Sequence, residues 1–244
     1  MINLDKKKLF YEPYPHALFE NVFEGNFYKE LCNEFPEKEK FEKFDFDKQN
    51  QIKQMKFVLN DNQKTFFSIL KKRKNMNSLY NYLISYEFKN KILDLLEQSN
   101  VRFPNFEKNQ GFMKSILKKI KKIKNFGFEF SMISTDGGFI KPHTDGPDKL
   151  ISFVIPIIDD ENISNIENSG TKILRSTDDK FKYNYTNQTV PYEATETVHE
   201  IPFNKNQIFL FIKTHNSLHS VGPMKTIDTK SIMRKSINFF IYKN

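Results

Sequence analysis

The pattern of apolar and polar residues changes about halfway along the chain. Up to about residue 125, the sequence is rich in Lys, Glu, Asn and Leu, and its apolar residues recur at helical intervals. From Phe126 onward, short apolar runs are separated by turn-forming residues, which is typical of β-strands. The pattern therefore predicts a mainly helical region, 1–125, that buttresses a β-structured core, 126–244.

In the first half, four helices and one short strand are predicted. The first helix should end before Pro36, because proline disfavours a helical conformation at the residue that precedes it. The predicted helices lie at residues 25–35, 62–72, 79–86 and 87–97, and the strand at 55–59.

In the second half, the predicted elements are strands joined by a turn and two long polar loops. No internal repeat and no linker interrupts the sequence, so residues 1–244 are predicted to form a single domain. Long loops on a β-scaffold often select the substrate. The strands are predicted at residues 128–133, 150–158, 207–212 and 236–242, the turn at 135–138, and the loops at 159–170 and 175–196.

Composition fits one globular unit: the chain has 244 residues, of which 38% are hydrophobic and 28% charged. Cys32 is the single cysteine, which excludes an internal disulfide and a zinc site built from cysteines. We find no signal peptide and no apolar run long enough to cross a bilayer. The expectation is a soluble, cytoplasmic protein.

The net charge of +8 raises the question of an anionic partner. Because the positive charge is spread along the chain, nucleic acid is an unlikely partner. The one concentrated stretch is 114–124, where Ile116, Ile120 and Ile123 fall at helical spacing among lysines. We predict a flanking helix that points its lysines at water, and the alternative is a helix lying on a membrane surface.

Candidate chemistry centres on His143 and Asp145. Residues two apart in an extended segment project to the same side, so this imidazole and carboxylate can point at one site while Thr144 faces away. A third ligand from a distant strand would complete a face of two histidines and one carboxylate, which leaves open positions on Fe(II). Most His-x-Asp triplets are ordinary surface residues, so this pair needs support from its surroundings.

The surroundings supply it. Residues 138–156 run through a turn, the ligand strand, a second turn and a buried strand. This segment resembles the metal-binding core of the Fe(II)/2-oxoglutarate-dependent oxygenases, of the prolyl-hydroxylase-like kind. Four further segments resemble other parts of the family in the same order, and they lie at residues 14–21, 170–175, 206–223 and 234–240.

The resemblance implies an α+β fold, a double-stranded β-helix (jelly roll, cupin-like) with N-terminal flanking helices. It also implies the third metal ligand. In the family this histidine stands just before a small residue, a valine and a proline, as His219 does in 219–223. His215 lies in the preceding turn and is the competing candidate. His16 and His199 are expected to be structural or exposed.

On the resemblance, Arg234 anchors the far carboxylate of 2-oxoglutarate, since a guanidinium offers a planar fork of donors that matches a carboxylate. Ser236 lies two residues on, on the same face of the strand, and can donate a further hydrogen bond. Lys230 and Lys235 compete with Arg234 for the anchoring role, although Lys235 should point to the opposite face.

The implied function is a dioxygenase that uses Fe(II), 2-oxoglutarate and O2 to hydroxylate a C–H bond, with release of succinate and CO2. Related halogenases lack the carboxylate, so Asp145 favours hydroxylation. The substrate, a small molecule or a protein side chain, is not identified by the sequence. The alternatives are a cupin-type protein with a different metal set and a binding protein that kept the fold without the chemistry.

Overall fold

The computed structural model describes residues 2–44, 55–101, 125–159, 166–226 and 232–243. The basic segment 114–124 and Lys230 lie outside these ranges. Within them, no helix is long and apolar enough to cross a bilayer. The helices are α1 (Phe27–Asn33), α2 (Lys64–Leu70), α3 (Lys74–Leu83) and α4 (Tyr86–Gln98). The strands are β1 (Lys7–Phe10), β2 (His16–Glu20), β3 (Glu42–Phe44), β4 (Lys56–Asn60), β5 (Phe126–Ser134), β6 (Ile140–His143), β7 (Lys149–Ile157), β8 (Ile166–Glu167), β9 (Thr171–Ser176), β10 (Thr195–Ile201), β11 (Gln207–Ile212), β12 (His219–Val221), β13 (Lys225–Thr226) and β14 (Met233–Tyr242).

The strands form a large and a small antiparallel sheet, and β8 and β13 pair separately as a two-stranded sheet. The large sheet has the order β1-β2-β11-β7-β14-β5-β4-β3, and the small sheet has the order β10-β9-β12-β6. From β5 onward the chain passes repeatedly between the two sheets, and Ile173 of the small sheet packs with Phe209 and Phe211 of the large one. Two facing antiparallel sheets wound in this way are a double-stranded β-helix, so the predicted α+β jelly-roll class is confirmed.

The outer face of the large sheet carries the main hydrophobic core. Side chains alternate between the two faces of a strand, and the odd-numbered residues of β14, such as Phe239, point outward to the helices. The ring of Phe88 in α4 lies 5.9 Å from that of Phe239, and the ring of Phe66 in α2 lies 5.8 Å from that of Phe128. Because these apolar residues point outward, the polar residues of the same strands lie on the inner face, which faces the small sheet.

The described residues before 125 supply four strands at the two ends of the large sheet in addition to the four helices. The predicted strand at 55–59 corresponds to β4, whereas β1 and β2 were not predicted. In β2, Ala17 and Phe19 belong to the outer core while Leu18 packs between the sheets. A strand buried on both faces lacks the alternation by which strands are recognised.

His16 of β2 and His199 of β10 form a bonded pair between the sheets. The two Nε2 atoms are 2.9 Å apart. His16 Nδ1 lies 2.8 Å from the Tyr14 carbonyl, which can only accept a hydrogen bond. His16 therefore donates from Nδ1 and accepts at Nε2 from His199. Burial, with His199 nearby, lowers the pKa of His16 to about 4.

We expect the free energy of unfolding to fall as the pH is lowered from 7 to 5. Folded His16 stays neutral until about pH 4, whereas in the unfolded chain it takes up a proton near its ordinary pKa of 6.5. The unfolded state therefore binds more protons in this window, and stability is lost as the pH falls. The loss should be about 1–2 kcal/mol at pH 5.

Denaturant titrations at a series of pH values measure this effect. His16→Phe, which suits the ring cluster of Phe10 and Phe209, should reduce the loss of stability between pH 7 and 5 by the His16 share of about 1–2 kcal/mol. The remaining slope then belongs to other groups such as His219, whose pKa burial also lowers. His215→Gln, at an exposed position, should keep the wild-type slope. An unchanged slope in His16→Phe would show that other groups cause it.

Candidate metal centre

His143, Asp145 and His219 are brought together where β6, an edge strand of the small sheet, pairs with β12. His143 ends β6 and His219 begins β12, and the two residues face each other directly in the antiparallel register. Their ring centroids are 4.3 Å apart. One possible ligand atom from each of the three residues lies within 4.8 Å of the others. Among the residues that the structure describes, no other group of three His, Cys, Asp or Glu side chains is arranged in this way.

Both histidines are held in the tautomer that metal binding requires. His143 Nδ1 lies 2.9 Å from the Lys141 carbonyl, and His219 Nδ1 lies 3.0 Å from the Ser217 carbonyl. A carbonyl only accepts, so each Nδ1 carries the proton and each Nε2 carries the lone pair that can bind a metal. Burial, together with the neighbouring His143, lowers the pKa of His219 to about 3. His219 is therefore neutral near pH 7, as a metal ligand must be.

The carboxylate of Asp145 is ionised and fixed by two neighbours. Lys149 Nζ donates to Oδ1 at 3.1 Å, and Ser152 Oγ donates to Oδ2 at 2.6 Å. Burial alone would raise the pKa of Asp145, but the nearby charge of the Lys149 ammonium holds it well below its usual range. The negative charge needed for a cation site is therefore present at neutral pH.

The backbone geometry at Asp145 differs from the prediction. Strand β6 ends at His143, and Asp145 has a φ of 70°, in the left-handed region. Asp is among the few residues other than glycine that tolerate this conformation. Convergence of the ligands therefore comes from a turn and not from the pleat of an extended strand. As predicted, Thr144 points elsewhere, because its hydroxyl donates to the Asn184 carbonyl at 2.5 Å.

A cavity of about 310 Å³ contains the three candidate ligands and also Arg234 and Ser236. Arg234 is only 3% exposed. Its Nε donates to the Ser169 carbonyl at 2.6 Å, and the guanidinium carbon lies 3.9 Å from the ring centroid of Phe203. No carboxylate among the residues that the structure describes is within ion-pair distance of it.

Burial lowers the pKa of Arg234 to about 9, an effect that the more distant Glu200 only partly offsets. The guanidinium thus still carries its charge at neutral pH. A buried charge without a partner is costly, so an anion in the cavity next to Arg234 would stabilise the fold.

The other predicted anchor residues divide between the two faces of β14. Ser236 lines the same cavity as Arg234, and its hydroxyl donates to Asn238 Oδ1 at 3.2 Å. Lys235 lies on the opposite face, where it pairs with Asp159. The expected alternation along the strand is thus observed, and it separates Lys235 from the cavity.

His215 lies apart from the three candidate ligands. It is exposed, and its ring stacks on Tyr183 with centroids 4.9 Å apart. Sequence reasoning missed Lys149 and Ser152, which hold Asp145. A signal was present in the sequence, since Ser152 is a polar residue inside the otherwise apolar run 150–158.

No protein-family model matches the chain, and no curated protein matches it either. Solved structures do. A Pseudomonas putida prolyl-4-hydroxylase aligns with a TM-score of 0.44 and 11% identity over 93% of this chain and 92% of its own. SnoK, a non-haem alpha-ketoglutarate-dependent carbocyclase from nogalamycin biosynthesis, aligns with a TM-score of 0.45 and 9% identity over 93% of this chain and 79% of its own.

A 2OG-Fe(II) oxygenase family protein from Burkholderia pseudomallei gives a TM-score of 0.31 and 12% identity over 53% of this chain and 52% of its own. The solved structures similar to this chain are thus of the 2-oxoglutarate and Fe(II) oxygenase kind that its sequence motifs resemble. At such low identity, the fold is assigned from the strand order and the site from its own geometry.

Proposed function

We propose that the protein is an Fe(II)- and 2-oxoglutarate-dependent dioxygenase that hydroxylates a C–H bond of its substrate. One observation carries the proposal. A single cavity contains both the His143, Asp145 and His219 cluster and the buried guanidinium of Arg234, which pairs with no carboxylate in the described part of the chain. The first suits a divalent metal and the second suits an anion.

The donor set fits Fe(II). The imidazoles of His143 and His219 and the carboxylate of Asp145 would hold the metal, and this donor set is typical of Fe(II) sites that keep positions open for other ligands. Lys149 and Ser152 hold the Asp145 carboxylate by one hydrogen bond to each oxygen, and the Lys141 and Ser217 carbonyls orient the two imidazoles. These hydrogen bonds to the ligand side chains fix their orientation in the absence of the metal.

The rest of the cavity fits a dicarboxylate. Arg234 can bind a terminal carboxylate through its planar fork of N–H donors. The Ser236 hydroxyl, on the same face, can add a donor if it turns from Asn238 Oδ1 to the carboxylate. Ile133, Ile140 and Phe211 add apolar surface to the lining of the cavity. With Fe(II) bound, this centre would supply the O2-dependent oxidative decarboxylation of 2-oxoglutarate to succinate and CO2, coupled to oxygenation of the substrate.

The test is an anaerobic titration of the Fe(II)-loaded protein with 2-oxoglutarate. Bidentate chelation should produce a visible charge-transfer band, and subsequent exposure to O2 should release succinate. A protein that binds Fe(II) and never shows the band is a cupin-type metal-binding protein on the same fold, and the dioxygenase proposal then fails.

A further inference from the structure

A second polar cluster lines the same cavity, on the inner face of the large sheet. It consists of Lys56 on β4, Glu129 on β5 and Asn238 on β14, three strands that are neighbours in the sheet. Lys56 Nζ and Asn238 Nδ2 each donate to Glu129 Oε1 at 3.0 Å. None of these hydrogen bonds involves His143, Asp145 or His219.

Glu129 and Lys56 retain bonding capacity toward the cavity. Both donors go to Oε1, and no donor among the described residues is hydrogen bonded to Oε2. The Lys56 ammonium has three N–H donors, and its one hydrogen bond to the described residues is that to Glu129. The side chains of Lys56 and Glu129 are only 14% and 16% exposed. The pair is therefore largely withdrawn from bulk water. Charge–charge interactions are stronger in such a partly buried position than in water.

The charges of this pair differ from those at Arg234. Arg234 is a lone cation and suits an anion, whereas Lys56 and Glu129 sum to zero and present both signs side by side. A ligand that carries an ammonium and a carboxylate on the same carbon can place the first against Glu129 Oε2 and the second against Lys56 Nζ. A peptide segment without free ends supplies neither charge.

The cluster is also tied to the co-substrate side of the cavity. Ser236 donates to Asn238 Oδ1, and Asn238 donates to Glu129, so one chain of hydrogen bonds joins the two regions. Phe240 and Tyr242 lie on the same face of β14 and line the cavity as well. They offer an aromatic wall to the remainder of a ligand held at Glu129.

We propose that Lys56 and Glu129 bind the prime substrate by its α-carboxylate and α-ammonium groups, so that the substrate is a free α-amino acid. This inference rests on the proposed function for the identity of the reaction. The recognition itself rests on the Lys56 and Glu129 pair alone.

The experiment is calorimetric titration of the full-length protein, loaded with Mn(II) and 2-oxoglutarate, with the free amino acids in turn. At least one should bind. Its N-acetyl derivative and its methyl ester, each of which removes one charge, should bind at least tenfold more weakly. Glu129→Gln and Lys56→Gln should each lower the affinity for the free amino acid at least tenfold. Glu196→Gln, at an exposed ion pair with Arg175, should leave this affinity unchanged.

Two results would overturn the inference: no free amino acid binds, or the blocked derivatives bind as well as the parent. The second result would point to a peptide. The ligand series needs no variant, so it decides the matter even if Glu129→Gln does not fold. Binding of an amino acid without any charge-transfer band would support the subsite and remove the dioxygenase. A charge-transfer band without amino-acid binding would support the dioxygenase and overturn the amino-acid subsite.

Discussion

Replacing His219 with alanine is expected to abolish binding of Fe(II) at the single site of each chain. The variant loses one of three ligands and leaves His143 and Asp145 alone. Even contacts outside the ligand shell commonly contribute 10- to 100-fold to metal affinity, so loss of a ligand should weaken binding more than about a hundredfold. Anaerobic titration with Fe(II), or with Mn(II) as a redox-silent substitute, measures the affinity directly.

His215→Ala is the matched control. It removes an imidazole only four residues away, from an exposed position where the ring stacks on Tyr183. Its metal affinity should equal that of the wild type. If His215→Ala lost the metal and His219→Ala kept it, the assignment of the distal ligand would be wrong.

Replacing Arg234 with alanine is expected to weaken binding of 2-oxoglutarate at least a hundredfold. The variant leaves a carboxylate in a buried position without its cation, which typically costs about 3–5 kcal/mol. Each 1.4 kcal/mol is about tenfold in affinity. Metal binding should survive, because Arg234 does not contact the three candidate ligands. The intensity of the charge-transfer band as a function of 2-oxoglutarate concentration gives the affinity.

Two variants on the same strand separate the anchor from its surroundings. Lys235→Ala removes a cation on the opposite face of β14 and should leave the affinity unchanged. Ser236→Ala removes one hydrogen bond to a charged group and should cost less than Arg234→Ala, about 1.5–3 kcal/mol. Wild-type affinity in Arg234→Ala would exclude Arg234 as the anchor and leave Lys230 as the candidate from the sequence.

The fold could be predicted from the sequence where burial leaves a simple pattern. β7 and β11 were predicted within a residue of their ends because both are nearly continuous apolar runs. β10 is different, since it forms the edge of the small sheet and most of its side chains are at least partly exposed. Its polar sequence therefore resembled a loop, and its first two residues fell inside the predicted loop 175–196.

The candidate site likewise has residues that the sequence predicts and residues that only the structure reveals. His143 and Asp145 are close in sequence, and the motif around His219 is distinctive, so these three could be named in advance. The pairing of Lys56 with Glu129 depends on β4 lying beside β5, and the two strands are far apart along the chain. Local patterns contain no information on which strands become neighbours, so this cluster needed the structure.

The backbone at Asp145 determines which replacement removes the carboxylate most cleanly. At a φ of 70°, alanine would bear a steric penalty of roughly 1–2 kcal/mol that has nothing to do with the lost ligand. Glycine adopts this conformation freely. Asp145→Gly is therefore the substitution that isolates the chemical contribution of the carboxylate. It would also leave Lys149 and Ser152 directed at an empty space, so a small inorganic anion such as chloride should bind the glycine variant and not the parent.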